Sequence, residues 1–286
     1  MTTLDYGQLI SGLLPAVAAA ARIQLAHRAA GFTVDHKSDA SPVTAADRES
    51  EALITRALTA LMPAAAVIGE EAVGEGHVPG LTDPFFLVDP LDGTREYVAG
   101  NDDFTINIAL ISASVPVFGI VAAAALGEIF LTVGPGAAIA GRLEQAMTAE
   151  AAGHAIDLAL LSPRPIATRA PAIDNLTVIA SRSHRTARLE EALARVPCRE
   201  QLVVGSSLKF CRVAEGRADV YPRYGSICEW DTAAGHAVLA AAGGAVTTLE
   251  VRTIPYGKAA EGFRQPCSSP GGAPRFPSTC RSPELS

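Results

Sequence analysis

Three acidic segments of this chain, residues 69–71, 89–94 and 230–235, each lie where an apolar stretch ends or a helix can begin. Carboxylates in such places cost stability unless a cation gathers them, because burial penalises an isolated charge. Several carboxylates that face one point also repel each other, and a hard divalent metal ion is the usual remedy. The pattern therefore predicts an α/β fold with an acidic metal site at strand ends.

The central acidic segment follows a short apolar run, residues 85–88, that is typical of a buried strand. Asp89 then emerges at the carboxyl end of this strand, where open α/β sheets bind their ligands, and Asp92 returns beside it after a turn. Gly93 and Thr94 can open a helix that offers N–H groups and a hydroxyl to a phosphate. Two metal ions about 4 Å apart at such a site suit in-line attack of water on a phosphoryl group.

Two other interpretations of the central segment are available. Asp92 can serve only as the N-cap of a turn or helix. Phosphatases that form an aspartyl-phosphate carry an Asp two residues before such an Asp-Gly-Thr, but Pro90 stands there in this chain. The covalent mechanism therefore lacks its nucleophile, and the metal interpretation remains.

The chain resembles the inositol monophosphatase superfamily, and within it the CysQ-type 3′(2′),5′-bisphosphate nucleotidases. The resemblance rests on the three acidic segments together with residues 181–184, 205–211, 213–216 and 221–223, all in the expected order within residues 5–263. It implies an α/β fold of the inositol monophosphatase or sugar phosphatase kind, an α+β layered sandwich in which helix and sheet layers alternate.

The resemblance also implies the metal site and the groups that activate water. The implied ligands of two or three Mg²⁺ ions are Glu70, Asp89, the backbone carbonyl of Leu91, Asp92 and Asp231. Oxygen ligands without His or Cys favour Mg²⁺ over Zn²⁺. Asp47 and Thr94 are the implied catalytic pair, although Asp47 can also be an acidic residue that complements a helix dipole. Lithium sensitivity is expected because Li⁺ would compete at the site of Asp92 and Asp231.

The implied substrate is a nucleotide bisphosphate. Its implied contacts are Thr94, His184, Ser206, Lys209, Arg223 and Asp231. Hydrolysis of the 3′-phosphate of adenosine 3′,5′-bisphosphate (PAP) to AMP and phosphate is expected, with its sulfated relative PAPS as a further substrate, in sulfur metabolism. The alternatives are an inositol-phosphate or sugar-phosphate phosphatase and, in another class, a non-catalytic nucleotide-binding regulatory protein.

Composition supports a soluble enzyme and excludes several other classes. The net charge of −7 argues against a nucleic-acid-binding surface. Residues 104–127 contain no charged side chain, but their polar interruptions favour two buried strands over a transmembrane helix. The start of the chain lacks a basic segment, so we expect a cytoplasmic protein, with peripheral association at the inner membrane face and a monomeric or homodimeric state left open. The five cysteines show no metal or disulfide spacing.

The apolar pattern predicts two unequal α/β halves, residues 1–155 and 156–263, and a tail, residues 264–286, whose Pro- and Ser-rich composition predicts disorder. The first half is predicted to carry most metal ligands, and the second half the nucleotide contacts and Asp231. Loops at 134–136 and the alanine-rich 145–155 are interpreted as the transition between the halves. A strand is also predicted at 218–221.

Overall fold

The computed structural model describes residues 4–36, 42–172, 174–183, 186–194, 197–225, 227–265 and 268–272. The helices are α1 (Tyr6–Ala30), α2 (Ala45–Leu61), α3 (Glu70–Gly74), α4 (Thr94–Val98), α5 (Leu143–Ala151), α6 (Ala187–Leu193), α7 (Leu208–Ala214) and α8 (Trp230–Ala241), with 3-10 turns at Leu158–Leu161 and Ala259–Glu261. The strands are β1 (Asp35–His36), β2 (Pro42–Val43), β3 (Ala66–Gly69), β4 (Phe85–Asp92), β5 (Thr105–Ser112), β6 (Val115–Ala123), β7 (Glu128–Gly134), β8 (Ala137–Arg142), β9 (Arg164–Ile166), β10 (Leu176–Ser181), β11 (Cys198–Val204), β12 (Ile227–Cys228), β13 (Gly244–Thr248), β14 (Arg264–Gln265) and β15 (Ser268–Gly272).

A seven-stranded sheet in the order β3-β4-β5-β6-β7-β8-β9 forms the centre of the fold. The pair β3–β4 is parallel, and every later pair in this sheet is antiparallel. Side chains alternate between the faces of β4: Phe86 and Val88 enter one core, while Phe85 and Leu87 enter another. Both faces of the sheet are therefore buried, which explains the nearly continuous apolar runs of its strands.

Helices cover both faces of this sheet. On one face, α1, α2 and α5 contribute apolar side chains to the core that contains Phe86. On the other face, α8 packs so closely on β6 that a Cβ at Gly119 would lie 2.4 Å from the carbonyl oxygen of Ala234. The smaller sheets β10–β11 and β13–β15 contribute Ile179 and Val246 to the core that α8 also enters. The predicted layered α/β fold is confirmed.

The apolar segment 104–127 forms β5 and β6, as predicted, and both strands lie in the buried sheet. Within the described residues, only α1 has the length and apolar composition of a membrane span, and about half of it is buried in this fold. Buried α1 side chains such as Leu13 and Val17 have no solvent exposure. This helix is therefore accounted for as a core helix.

Some local predictions need correction. Residues 134–136 turn the β7–β8 hairpin, and the alanine-rich segment forms α5, whose Ala146 and Ala149 pack in the same core as α1. Residues 218–221 do not form a regular strand; Val220 makes a single bridge to Val178. The chain turns there because Asp219 is held by Arg169 at 2.7 Å and by the N–H of Thr177 at 2.7 Å.

The predicted disordered tail also needs correction over its first residues. Residues 264–265 pair with β12 as β14, and residues 268–272 pair with β13 as β15. Strand pairing uses backbone hydrogen bonds, which a composition argument based on apolar side chains does not register. Residues 273–286 lie outside the described residues, and the division into halves at residues 155 and 263 stays a prediction.

Candidate active site

The carboxyl end of β4 brings two aspartates to one edge of the large sheet. Asp89 pairs with Asn107 and Asp92 with Thr105, so a register shift accommodates the extra residue between the aspartates. Within the turn between the two aspartates, the N–H of Leu91 donates to Asp89 Oδ1 at 3.0 Å. A second bond ties the turn to α1, because the buried side-chain amide of Gln24 donates to the carbonyl of Pro90 at 2.7 Å.

Three carboxylates from distant parts of the chain converge beside this turn. Glu70 at the start of α3, Asp89 in β4 and Asp231 in the first turn of α8 each offer an oxygen within 4.8 Å of the other two. Burial, followed by the charges of Glu70, Asp92 and Asp231, raises the pKa of Asp89 well above its usual value. Burial, Asp92 and Glu70 likewise raise the pKa of Asp231 to about 8. This crowding is the repulsion that a divalent cation relieves.

Asp92 accepts hydrogen bonds from two distant segments of the chain, the turn before α7 and strand β5. Its Oδ2 accepts the N–H of Ser207 at 2.6 Å and the side-chain amide of Asn107 at 3.2 Å. The hydroxyl of Ser207 donates in turn to the backbone carbonyl of Asp231 at 2.6 Å and accepts from Asn107 at 2.9 Å. Sequence reasoning missed Ser207 and Asn107, because their role depends on contacts across about a hundred residues.

Asp47 and Thr94 are in contact, as the resemblance implied. The Thr94 hydroxyl lies 3.2 Å from Asp47 Oδ1 and 3.1 Å from the carbonyl oxygen of Leu91. Asp47 Oδ2 accepts the N–H of Thr44 at 2.9 Å and the Thr44 hydroxyl at 2.7 Å, which forms a capping box at the start of α2. Asp47 thus stabilises its helix and contacts Thr94 with different oxygens, so the two interpretations are compatible.

Basic side chains line the same cavity as the acidic cluster. Lys209 is 6% exposed, and its Nζ lies 5.4 Å from the ring centre of Tyr221, with no carboxylate partner among the described residues. Arg223 Nη1 donates to the Tyr221 hydroxyl at 3.2 Å. Its Nε is buried without a hydrogen-bond partner in the described part of the chain, which leaves a donor for a ligand.

The cavity between these groups has a volume of about 280 Å³. Its lining includes every predicted metal ligand and, from the predicted substrate contacts, Thr94, Ser206, Lys209, Arg223 and Asp231. His184 lies outside the described residues. Ser206 adopts a left-handed backbone with φ of 45°, in a turn where the N–H of Gly205 donates to Asp103 at 3.0 Å.

Two further arginines line the cavity and were missed. Arg95 directly follows Thr94, and Arg264 enters from β14, which pairs with Cys228 of β12. Neither guanidinium has an ion pair among the described residues. Arg95 could have been found from its place beside the acidic turn. Arg264 was not identified as a candidate because the predicted disordered tail began at that residue.

Other residues behave as structural groups. His236 Nδ1 lies 3.0 Å from the Tyr256 hydroxyl, as expected for a packed helix residue. Cys211 is buried, and burial raises the pKa of its thiol well above the usual value. Among the described residues, Cys198, Cys211 and Cys228 are free thiols.

The fold matches solved structures over most of its length. CysQ from Bacteroides thetaiotaomicron, described as a bacterial member of the inositol monophosphatase family, superposes with a TM-score of 0.69 at 30% identity, covering 95% of this chain and 99% of that one. An inositol monophosphatase (IMPase) from Thermotoga maritima gives a TM-score of 0.70 at 20% identity, covering 90% and 89%. The second match shows the fold alone.

Curated relatives point in the same direction. The 3′(2′),5′-bisphosphate nucleotidase CysQ of Escherichia coli K12 is 38% identical over 220 residues, 77% of this chain and 81% of that protein. Its namesake in Buchnera aphidicola is 34% identical over 225 residues, 79% of this chain and 78% of that protein. The model of the inositol monophosphatase family matches residues 5–264. The chain therefore belongs to the inositol monophosphatase family, which confirms the family predicted from its motifs.

Proposed function

We propose that this protein is a Mg²⁺-dependent phosphatase that removes the 3′-phosphate of PAP to give AMP and phosphate, and that it also accepts PAPS. The observation that carries the proposal is one cavity lined by the carboxylates, here called the acidic wall, and by Lys209 and Arg223, here called the basic wall, which have no ion pair among the described residues. Such a cavity suits a ligand that presents one phosphate to metal ions and a second anionic group to cations. The names of the curated relatives support the same substrate.

The residues on the acidic wall fit magnesium. Glu70, Asp89, Asp231, Asp92 and the carbonyl of Leu91 would supply oxygen ligands only. Burial, and then the neighbouring negative charges that a cation would neutralise, raise the pKa of Asp89. When bound, Mg²⁺ would polarise the phosphoryl group and lower the pKa of a coordinated water molecule.

Asp47 and Thr94 would orient and deprotonate the attacking water. With its hydroxyl proton directed at Asp47 Oδ1, Thr94 Oγ1 presents a lone pair to the cavity. A water proton can then pass to Thr94 Oγ1 while the Thr94 proton passes to Asp47. The bonds from Thr44 to Oδ2 hold the Asp47 carboxylate in place during this transfer.

The basic wall would hold the phosphate that is not cleaved. Arg223 and Lys209 supply charge and donors, and Ser206 lies beside them at the cavity surface. His184 is proposed as a further contact from the sequence alone. An inositol or sugar monophosphate would leave these buried cations without an anion, so the arrangement favours a bisphosphate. A purely regulatory nucleotide-binding protein would have no need of the Asp47–Thr94 contact.

A phosphate-release panel tests the proposal. Purified protein with Mg²⁺ is assayed on PAP, PAPS and inositol 1-phosphate, with and without EDTA. We expect kcat/KM to be highest for the two nucleotides, activity to vanish with EDTA, and Li⁺ titrated at fixed Mg²⁺ to inhibit. A preference for inositol 1-phosphate would support the sugar-phosphatase alternative. Absence of turnover on every substrate would support the non-catalytic one.

A further inference from the structure

Glu51 is a buried acidic residue that the proposed mechanism does not use. It lies one turn after Asp47 on the same face of α2 and is 7% exposed. Its two oxygens accept hydrogen bonds from two consecutive backbone N–H groups: Oε2 from Glu71 and Oε1 from Ala72, both at 2.8 Å. A carboxylate with both oxygens engaged in this way is held in one orientation.

The N–H groups that Glu51 accepts belong to the first turn of α3, directly after Glu70. The first N–H groups of a helix have no partner within the helix, so a side chain from elsewhere can fix their direction. Glu51 thereby sets the backbone from which the Glu70 side chain extends toward Asp89 and Asp231. A single helix, α2, then supports both sides of the acidic cluster: Asp47 contacts Thr94, and Glu51 holds the turn of Glu70.

Gly69 provides independent support for this contact. A Cβ at Gly69 would lie 2.4 Å from Glu51 Cδ, so a side chain at this position would displace the Glu51 carboxylate. The backbone of Gly69 has φ of −98°, which any residue can adopt. Glycine at this position therefore leaves room for the Glu51 carboxylate, and its backbone conformation is not unusual.

Charge distinguishes this contact from an ordinary helix cap. Glu51 packs against a turn that already carries Glu70 and Glu71, so it brings a third carboxylate to that turn. At the N-cap position of a helix, a neutral Asn or Ser satisfies such N–H groups without adding a negative charge. The carboxylate is favourable where a cation lies next to the turn.

We propose that Glu51 is a positioning residue that orients Glu70 for metal binding. This inference rests on the proposed Mg²⁺ site, but not on the identity of the substrate. Residues that hold metal ligands typically change metal affinity or activity by about 10–100-fold when they are replaced. We therefore expect Glu51→Gln to weaken Mg²⁺ binding about tenfold, because the amide opposes one backbone N–H with its own donors.

Isothermal titration calorimetry with Mg²⁺ alone, on wild type and variants, tests the inference. Glu49→Gln is the matched control: it makes the same change on the same helix, where Glu49 is half-exposed and contacts His27 at 3.1 Å. We expect Glu49→Gln to bind Mg²⁺ like wild type, and kcat of Glu51→Gln on PAP to recover largely at high Mg²⁺. Wild type without detectable Mg²⁺ binding would refute the metal site itself, whereas equal binding by wild type and Glu51→Gln would overturn only this inference.

Gly69→Ala gives a second measurement that removes no charge and applies even if Glu51→Gln fails to fold. Its methyl group would displace the Glu51 carboxylate. We expect Mg²⁺ affinity to fall in the same direction as in Glu51→Gln, with circular dichroism unchanged. A lower unfolding temperature with unchanged Mg²⁺ affinity of the folded protein would mean that Glu51 only caps α3, and would overturn the inference.

Discussion

The two walls of the cavity are constructed in different ways. Side chains on the acidic wall are braced before any ligand binds: Ser207 and Asn107 hold Asp92, and the N–H of Cys228 holds Asp231 at 3.1 Å. On the basic wall, Lys209 Nζ lies 5.4 Å from the centre of the Tyr221 ring without a carboxylate partner among the described residues, and Arg223 Nε has no hydrogen-bond partner there. The difference indicates that catalytic geometry is preorganised while substrate recognition leaves donors free for the ligand.

Loss of the acidic wall should have the largest effect. Asp89→Asn removes a shared ligand, so we expect turnover of PAP to fall by roughly a hundredfold or more. Because Asp89 is crowded by other carboxylates, the unfolding temperature in EDTA should be unchanged or higher. Phosphate release and thermal unfolding are measured on the same sample. Substantial activity at saturating Mg²⁺ would contradict the assignment of this wall.

Loss of the basic wall should be selective for the substrate. A charge-assisted hydrogen bond contributes about 1.5–3 kcal/mol, so Arg223→Ala should lower kcat/KM for PAP by roughly ten- to a hundredfold. The same variant should act on inositol 1-phosphate nearly as wild type does, since that substrate lacks the second phosphate. Steady-state kinetics on both substrates decides. Equal losses would mean that Arg223 supports the fold or the acidic wall instead.

Replacement of Arg264 should lower kcat/KM for PAP less than replacement of Arg223. Its guanidinium lines the cavity but is exposed to water, which weakens its attraction for a phosphate. We expect Arg264→Ala to lower kcat/KM for PAP by roughly two- to fivefold, within the range of an exposed charge pair. Arg252→Ala, an exposed arginine paired with Glu250 at 3.7 Å, is the control. Equal kinetics for the two variants would mean that Arg264 does not help to bind the second phosphate.

The last prediction concerns the stability of the helix that carries Asp231, and it leaves turnover at neutral pH unchanged. Burial lowers the pKa of His236, on the helix that carries Asp231, from 6.5 to about 4. The unfolded chain then binds more protons between these values, so stability is present above pH 6.5 and falls as the pH drops toward 4, by at most about 3 kcal/mol. Thermal unfolding against pH should show a flatter acid limb for His236→Gln than for His27→Gln. Identical pH dependence in both variants would contradict the expectation.

The difference between local spacing and tertiary contacts explains which site residues the sequence could predict. Asp89 and Asp92 follow an apolar strand within a few residues, so local spacing was enough to place them at a sheet edge. Glu51 and Ser207 act through tertiary contacts, so their roles could not be predicted from the residues beside them in the sequence. The β8 strand was missed because its alanines and glycine give little strand signal, and β14 because pairing depends on backbone bonds.

In the proposed reaction, the acidic wall holds the phosphate that is cleaved and the basic wall holds the phosphate that is kept. Incubation of the wild-type enzyme with PAP and Mg²⁺, followed by ³¹P NMR of the products, tests it directly. We predict 5′-AMP and inorganic phosphate as the only products, with no reaction in EDTA. Formation of adenosine 3′-phosphate, or PAP left intact beside an active inositol 1-phosphate control, would contradict the claim.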